Sequence, residues 1–188
     1  EISEITNLFL VDKLEPKTGD TTKYLFRLWD GRVLESVLMK YHHGNSVCIS
    51  SQVGCKMGCK FCASTIGGFE RNLTSTEMLD QIYQIQRISG ERVSNVVVMG
   101  TGEPLDNYDN LIKFIHLLTD ENGLNISQRN ITVSTCGLVD NIKALADENL
   151  QITLALSLHA PNDLVRRQLM PIAQQYNIDT VIDACVYR

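Results

Sequence analysis

The chain has 188 residues, 44% of them apolar and 21% charged, and a net charge of −5 at pH 7. That length suits one domain, or a large piece of one, with a real core, and the composition is that of an ordinary globular protein rather than a disordered one. The mild acidity argues against broad nucleic-acid binding by charge alone.

No apolar run reaches the roughly 20 residues of a helical membrane span and no secretory signal opens the sequence, so no membrane contact is predicted. The sequence begins at Glu1 in mid-pattern, and a longer parent is expected. The first forty residues read as short strands, "NLFLVDKL", "KYLFRLWD" and "RVLESVLMK", separated by the turn-forming "KTGDTT" and "DGR". They form an N-terminal β extension over 1–46. From residue 47 the rhythm changes. "VCISS" is a short β-rich run, and a cysteine-rich loop follows. "TSTEMLDQIYQIQRISG" carries Met78, Leu79, Ile82 and Ile85 at helical spacing, with Thr74 and Glu77 as a capping box and Gly90 as a stop.

Strands and helices then alternate: "VSNVVVMG", "NLIKFIHLL", "NITVST", "LVDNIKALADE", "QITLALSLH" and "PNDLVRRQLM", the last with Pro161 near its first turn. "IDTVIDACVYR" reads as a closing helix. Near-continuous Val/Ile/Leu strands in four strand–helix units predict an α/β fold with a parallel sheet covered by helices over 47–188. Periodicity does not distinguish an open sheet from a barrel. Lys56, Lys60, Arg71, Arg129 and the Arg166–Arg167 pair are candidates for a local basic surface, against the simpler reading of a solvated mixed surface.

The chemistry concentrates in "CISSQVGCKMGCKFCAS", residues 48–64, which holds four of the six cysteines. Cys55, Cys59 and Cys62 form CxxxCxxC directly after a strand. Three thiolates on one tight loop can hold three irons of a [4Fe–4S] cluster and leave the fourth open to a small molecule. Gly54 and Gly58 let the backbone wrap closely, and Phe61 would be apolar cover. A zinc site completed by His42 or His43, or a disulfide, are the alternatives. Cysteines in this pattern point to metal binding in a reducing compartment, the cytosol, rather than to a secreted scaffold.

The CxxxCxxC loop, with an aromatic residue before its last cysteine, resembles that of the radical S-adenosylmethionine (SAM) superfamily. "SSQVGCKMGCKFCAS", "GFERNL", "VVMGTGEPLDN", "ITVSTCG" and "LSLHAPND", in this order and spacing, resemble the RlmN family of adenine-C2 RNA methyltransferases from about residue 24 onward. The resemblance implies a partial (β/α)6 barrel whose last strands are absent. It implies a [4Fe–4S] cluster on Cys55, Cys59 and Cys62, with SAM chelating the free iron. In that family one SAM methylates an enzyme cysteine and a second yields an adenosyl radical that activates the new methyl group. That group adds to C2 of an adenine in 23S ribosomal RNA or tRNA, and an electron donor such as flavodoxin serves the cluster.

Residue by residue, Cys48 matches the family's second catalytic cysteine, whose thiolate releases product by forming a disulfide with the methyl carrier. Glu35 matches the proposed base for the adenine C2 proton. Gly102 and Glu103 of "GTGEP" match the SAM-ammonium site, Gly100 and Gly102 being read as room for a ligand. Ser134 and the strand end Ser157, Leu158 and His159 match further SAM contacts. Cys136 and Cys185 are read as non-catalytic, since the methyl carrier sits in an "ACGQL"-like segment that this sequence does not contain. The late asparagine that helps hold SAM and the helical RNA-binding domain are missing too. The chain alone is therefore expected to be inactive, and the full-length protein monomeric. The rival readings are the C8-adenine methylase of the antibiotic-resistance type, towards which "LMPI" and "MKY" lean, and a non-catalytic iron–sulfur or zinc module.

Overall fold

The computed structural model describes residues 8–17, 19–42 and 44–187; His43, one of the two histidines considered for zinc, lies outside the described residues. A seven-stranded sheet runs through the chain. Three strands, β1 (Phe9–Leu14), β2 (Thr21–Arg27) and β3 (Val33–Tyr41), form an antiparallel meander. β4 (Gly44–Cys48) pairs antiparallel with β3 on one side and parallel with β7 (Val93–Val98) on the other. β8 (Ile131–Thr135) and β9 (Thr153–Leu156) extend the parallel half, giving the order β1-β2-β3-β4-β7-β8-β9. The N-terminal strands thus share one sheet with the parallel strands. Among the described residues no strand pairs with the far edge of β9.

Helices follow each parallel strand. α1 (Ser75–Ser89) starts at the expected capping box, with Thr74 accepting from the Glu77 N–H, and ends at Gly90 in the left-handed conformation. Its Met78, Ile82 and Ile85 are fully buried, about 1.5–3 kcal/mol of apolar burial each. α2 (Tyr108–Thr119), α3 (Val139–Asp147), α4 (Asp163–Leu169) and α5 (Ile178–Cys185) complete the set. Pro161 stands before the N-cap Asn162, not in the first turn of α4. "QITLALSLH" forms a strand only to Leu156, so Ser157–His159 are loop.

A small ribbon of β5 (Gln52–Gly54) and β6 (Phe69–Asn72) closes the cysteine loop at its base. Gly54 has φ +72°, and a Cβ there would overlap the Gly68 carbonyl oxygen, so only glycine lets the ribbon close. Arg71 of β6 is a hub. It grips both carboxylate oxygens of buried Glu77 at 2.8 Å and donates to Asp30, in the β2–β3 turn, at 2.7 Å. Burial alone would raise the Glu77 carboxyl, but the Arg71 and Thr74 hydrogen bonds outweigh it and hold its pKa below the usual range.

Arg71→Met should therefore cost about 3 kcal/mol in urea unfolding, since it strands a buried carboxylate. Because the folded-state pKa of Glu77 is depressed, its stabilisation is present above the ordinary carboxylate range and lost as pH falls through the folded value. The Arg71→Met penalty should shrink on acidification. A penalty unchanged at low pH would show that the pair does not act through charge.

Candidate functional site

Three segments meet at the carboxyl ends of the parallel strands, where open α/β sheets place ligands. The cysteine loop spans Cys55 to Gly68, pinned by Cys55 N–H to Gly68 O at 3.1 Å and by the Thr65 hydroxyl to Cys62 O at 2.9 Å. The turn after β7 carries Gly100–Glu103. The ends of β8 and β9 carry Ser134 and Ser157. Between them lies a cleft of about 140 Å³ lined by Cys55, Cys59 and Cys62 on one side and by Gly102, Glu103, Ser134, Ser157 and His159 on the other.

The cleft thus joins the cysteine set to most of the expected cofactor-binding residues. The Ser134 and Ser157 hydroxyls lie 3.3 Å apart. His159 has φ +55°, an uncommon conformation for a non-glycine residue, and its ring packs on Phe61 with centroids 4.5 Å apart. Leu158 is not among the lining residues; its N–H bonds to Leu156 O.

Glu103 is buried at 4% exposure. Its Oε1 accepts from Leu105 N–H at 3.1 Å and its Oε2 from Cys136 N–H at 2.8 Å. Burial pushes its carboxyl above the usual range despite these donors. A carboxylate in that state gains most from a cation that enters the cleft. Gly100 and Gly102 serve packing more than ligand approach. A Cβ on Gly102 would come within 2.6 Å of Gln52 Cβ, and one on Gly100 within 2.7 Å of Ile49 O.

All six cysteines are free thiols, so no disulfide exists at Cys48 or elsewhere. Burial, then the negative charge of its neighbours, pushes Cys59 up to about 11, and burial also raises Cys55. Thiols that oppose one another's ionisation become thiolates together only when cations sit among them, which fits a metal group. Among the described residues no three His, Cys, Asp or Glu side chains converge on one ion.

Cys48 and Glu35 lie outside the cleft lining. In the β3–β4 register Val37 pairs with Cys48, so Glu35, two residues earlier, projects on the same face of the sheet. Glu35 is half-exposed and ion-paired with Lys23 at 2.9 Å. Burial raises the Cys48 pKa, a Met99 backbone hydrogen bond opposes this, and the Glu35 charge adds to the rise. Cys48 is therefore a thiol rather than a ready thiolate at neutral pH. Cys185 stands exposed on α5, and Cys136 is buried against Cys59 and Met170.

Of the six residues considered for a local basic surface, Lys60, Arg129 and Arg167 are exposed and the other three are committed elsewhere. Arg166 is fully buried, Arg71 is spent on Glu77 and Asp30, and Lys56 is ion-paired with Asp106 at 2.8 Å. Sequence reasoning also missed the polar residues that hold the site. Gln52 accepts from the Glu103 N–H and donates to Asn72 and Asp106. Gln81 braces Ser50 and Ser36, and Asn107 donates to Ser51 O and Leu73 O. One signal was available: Gln81 and Gln84 fall beside the apolar stripe of α1, where solvent-facing residues would be unremarkable but buried ones need partners.

Residues 49–187 match the family model of the Radical SAM superfamily. The chain is similar to proteins named probable dual-specificity RNA methyltransferase RlmN. It is 66% identical over 177 residues to that of Lachnoclostridium phytofermentans, covering 94% of this chain and 50% of that protein. To that of Lachnospira eligens it is 68% identical over 187 residues, covering 100% of this chain and 53% of the relative. A radical SAM methyltransferase from Sphaerobacter thermophilus has a similar solved structure, with a TM-score of 0.90 and 44% identity over 96% of this chain and 54% of that one. The chain spans about half the length of the curated relatives it matches.

Because the Glu35 charge raises the Cys48 pKa, Glu35→Gln should move the pH profile of Cys48 alkylation towards lower pH. Iodoacetamide labelling followed by peptide mass spectrometry reads this directly. An unchanged or opposite shift would show that the two groups do not sense each other.

Proposed function

Because the chain belongs to the radical SAM superfamily, we propose that it is the cofactor-binding part of an RNA methyltransferase acting on adenine C2 in 23S ribosomal RNA and tRNA. The observation that carries this reading is the single cleft shared by Cys55, Cys59, Cys62, Glu103, Ser134 and Ser157. The names of the relatives, all at high identity, support the methyltransferase activity and the RNA substrate. Radical SAM methyltransferases use a [4Fe–4S] cluster and SAM, which together supply a reductively generated radical when bound.

Cys55, Cys59 and Cys62 would hold the cluster and leave one iron open. Glu103 would accept from the SAM ammonium by a charge-assisted hydrogen bond. Gly102 keeps the turn close enough for Glu103 to face the cleft, and Ser134 and Ser157 offer paired hydroxyls to a carboxylate or ribose. Leu158 and His159 follow in the loop after β9, where the His159 ring packs on Phe61 of the cysteine loop. Glu35 serves as the base towards the adenine, and Cys48 resolves the product with a cysteine beyond this sequence through a transient disulfide. Because Cys48 is held protonated, that step needs a base.

The adenine must be presented unstacked, as in an RNA loop, to reach such a site. A low-potential flavoprotein such as flavodoxin would deliver the electron. Free thiols suit the reducing cytosol, and no described helix is long and apolar enough to cross a membrane. The division into a β extension up to residue 46 and a cofactor-bearing core from residue 47 is part of this proposal.

The anaerobically reconstituted, reduced chain should give a [4Fe–4S]+ EPR signal that changes on adding SAM. Glu103→Gln should keep the cluster but weaken SAM binding by about 1.5–3 kcal/mol, roughly ten- to hundredfold, the scale of one hydrogen bond to a charged group. A wild-type signal blind to SAM would overturn the reading in favour of a non-catalytic module. In a protein completed with the relatives' remaining segments, 8-methyladenosine rather than 2-methyladenosine would identify the C8 branch.

A further inference from the structure

Arg166 is a buried cation for which the site described so far has no use. It lies on α4 at 0% exposure. Its Nη2 donates to Cys136 O at 2.7 Å and its Nη1 to Tyr176 O at 3.4 Å, while its Nε has no acceptor. Among the described residues no Asp or Glu is recorded in an ion pair with it. Two backbone carbonyls are poor compensation for taking a guanidinium out of water, and arginine does not relieve the cost by losing its proton.

What lies beside it is the anionic pocket. The residue Arg166 grips, Cys136, packs on Cys59 and donates its own N–H to Glu103 Oε2. Met170, one turn along from Arg166 and bonded to its carbonyl oxygen, packs on the same two cysteines. Lys60 N–H caps Leu169 O at 2.9 Å, fastening the cysteine loop to the end of α4. Gly137 makes room for this arrangement: a Cβ there would lie 3.1 Å from Arg166 Nη2.

We propose that the buried guanidinium of Arg166, one residue removed from both Cys59 and Glu103, is the counter-charge of the cluster pocket and raises the potential at which the bound cluster accepts its electron. The inference rests on the cluster reading above and deepens it. A cluster held by three thiolates is anionic, and one-electron reduction by a low-potential donor makes it more so. No bond is made or broken and no proton need move. A fixed positive charge in a dry environment favours the reduced state, whereas surface lysines are screened. Arg166 is thus a positioning and tuning residue that touches neither cofactor nor substrate.

The test is an EPR-monitored redox titration of the reconstituted full chain, using dithionite, in wild type, Arg166→Gln and Arg166→Lys. Glutamine keeps a donor for Cys136 O but removes the charge; lysine keeps the charge. Arg166→Gln should have a lower midpoint, with on the order of tenfold less reduced cluster at the wild-type midpoint, the scale of one charge at an effective dielectric of about 20. Arg166→Lys should stay near wild type. Iron content that collapses in the Gln variant but not the Lys variant also supports a charge role, now in assembly. Equal midpoints in all three overturn the proposal, as does an equal fall in Gln and Lys, or loss of cluster from both with the fold retained by circular dichroism. Wild type that assembles no cluster would instead fail the function reading itself.

Discussion

The site depends on burying a polar splice, Ile49–Gln52, between the end of β4 and the cysteine loop. A strand that must hand its chain over to a metal-binding loop cannot stay apolar, and buried backbone groups without partners would be costly. Here Ser51 and Gln52 N–H both donate to Thr101 O, and the Ser50 hydroxyl accepts from Thr101 N–H while donating to Glu35 O. Gln52 then fixes the Glu103 N–H, and Gln81 of α1 closes the network on Ser50 from behind. The cysteine loop and the Gly100–Glu103 turn are thereby positioned by one set of hydrogen bonds. Nothing wider than glycine fits at 100, which lies against the Ile49 backbone, or at 102, which lies against the Ser51 and Gln52 side chains.

Charge explains why this rigid frame suits a cationic guest. Burial raises Cys55, Cys59 and Glu103, and the negative charge of their neighbours raises Cys55 and Cys59 further. Left alone, these two thiols stay protonated at neutral pH. A positive charge entering the cleft would favour ionisation of these groups, so its binding would be linked to proton release.

How much of this was legible in the sequence follows the range of the interactions involved. The α1 capping box, the Gly90 stop and the strand–helix alternation were legible because they are fixed by neighbours within a few residues. The cysteine loop was legible because its ligands are local in sequence. Arg166 was not: its acceptors lie ten and thirty residues away, and an arginine next to Arg167 on a short helix looks like solvent-facing charge. The β5–β6 ribbon escaped for the same reason, since its three-residue strand is defined only by Asn72, Arg71 and Phe69 across the loop. Ser157–His159 read as strand because they continue the run "QITLALSLH", but among the described residues no further strand lies beyond β9 to hold them in a ladder.

The single sheet also settles how two chemistries can share one surface. β4 is a seam, antiparallel to β3 and parallel to β7. Since β3 runs against β4, its first half overshoots Cys48 and lies beside Ser50, at the carboxyl end of the parallel strands. Glu35 therefore lies beside Ser50, outside the cleft lining, with Lys23 on the adjacent strand as its partner. Had β3 been parallel, its start would lie at the opposite end of β4 and the carboxylate would be far from Ser50. The antiparallel meander thus brings Glu35 to the carboxyl end of the parallel strands, and Cys48, paired with Val37 on one side and Val97 on the other, stands where the two halves meet.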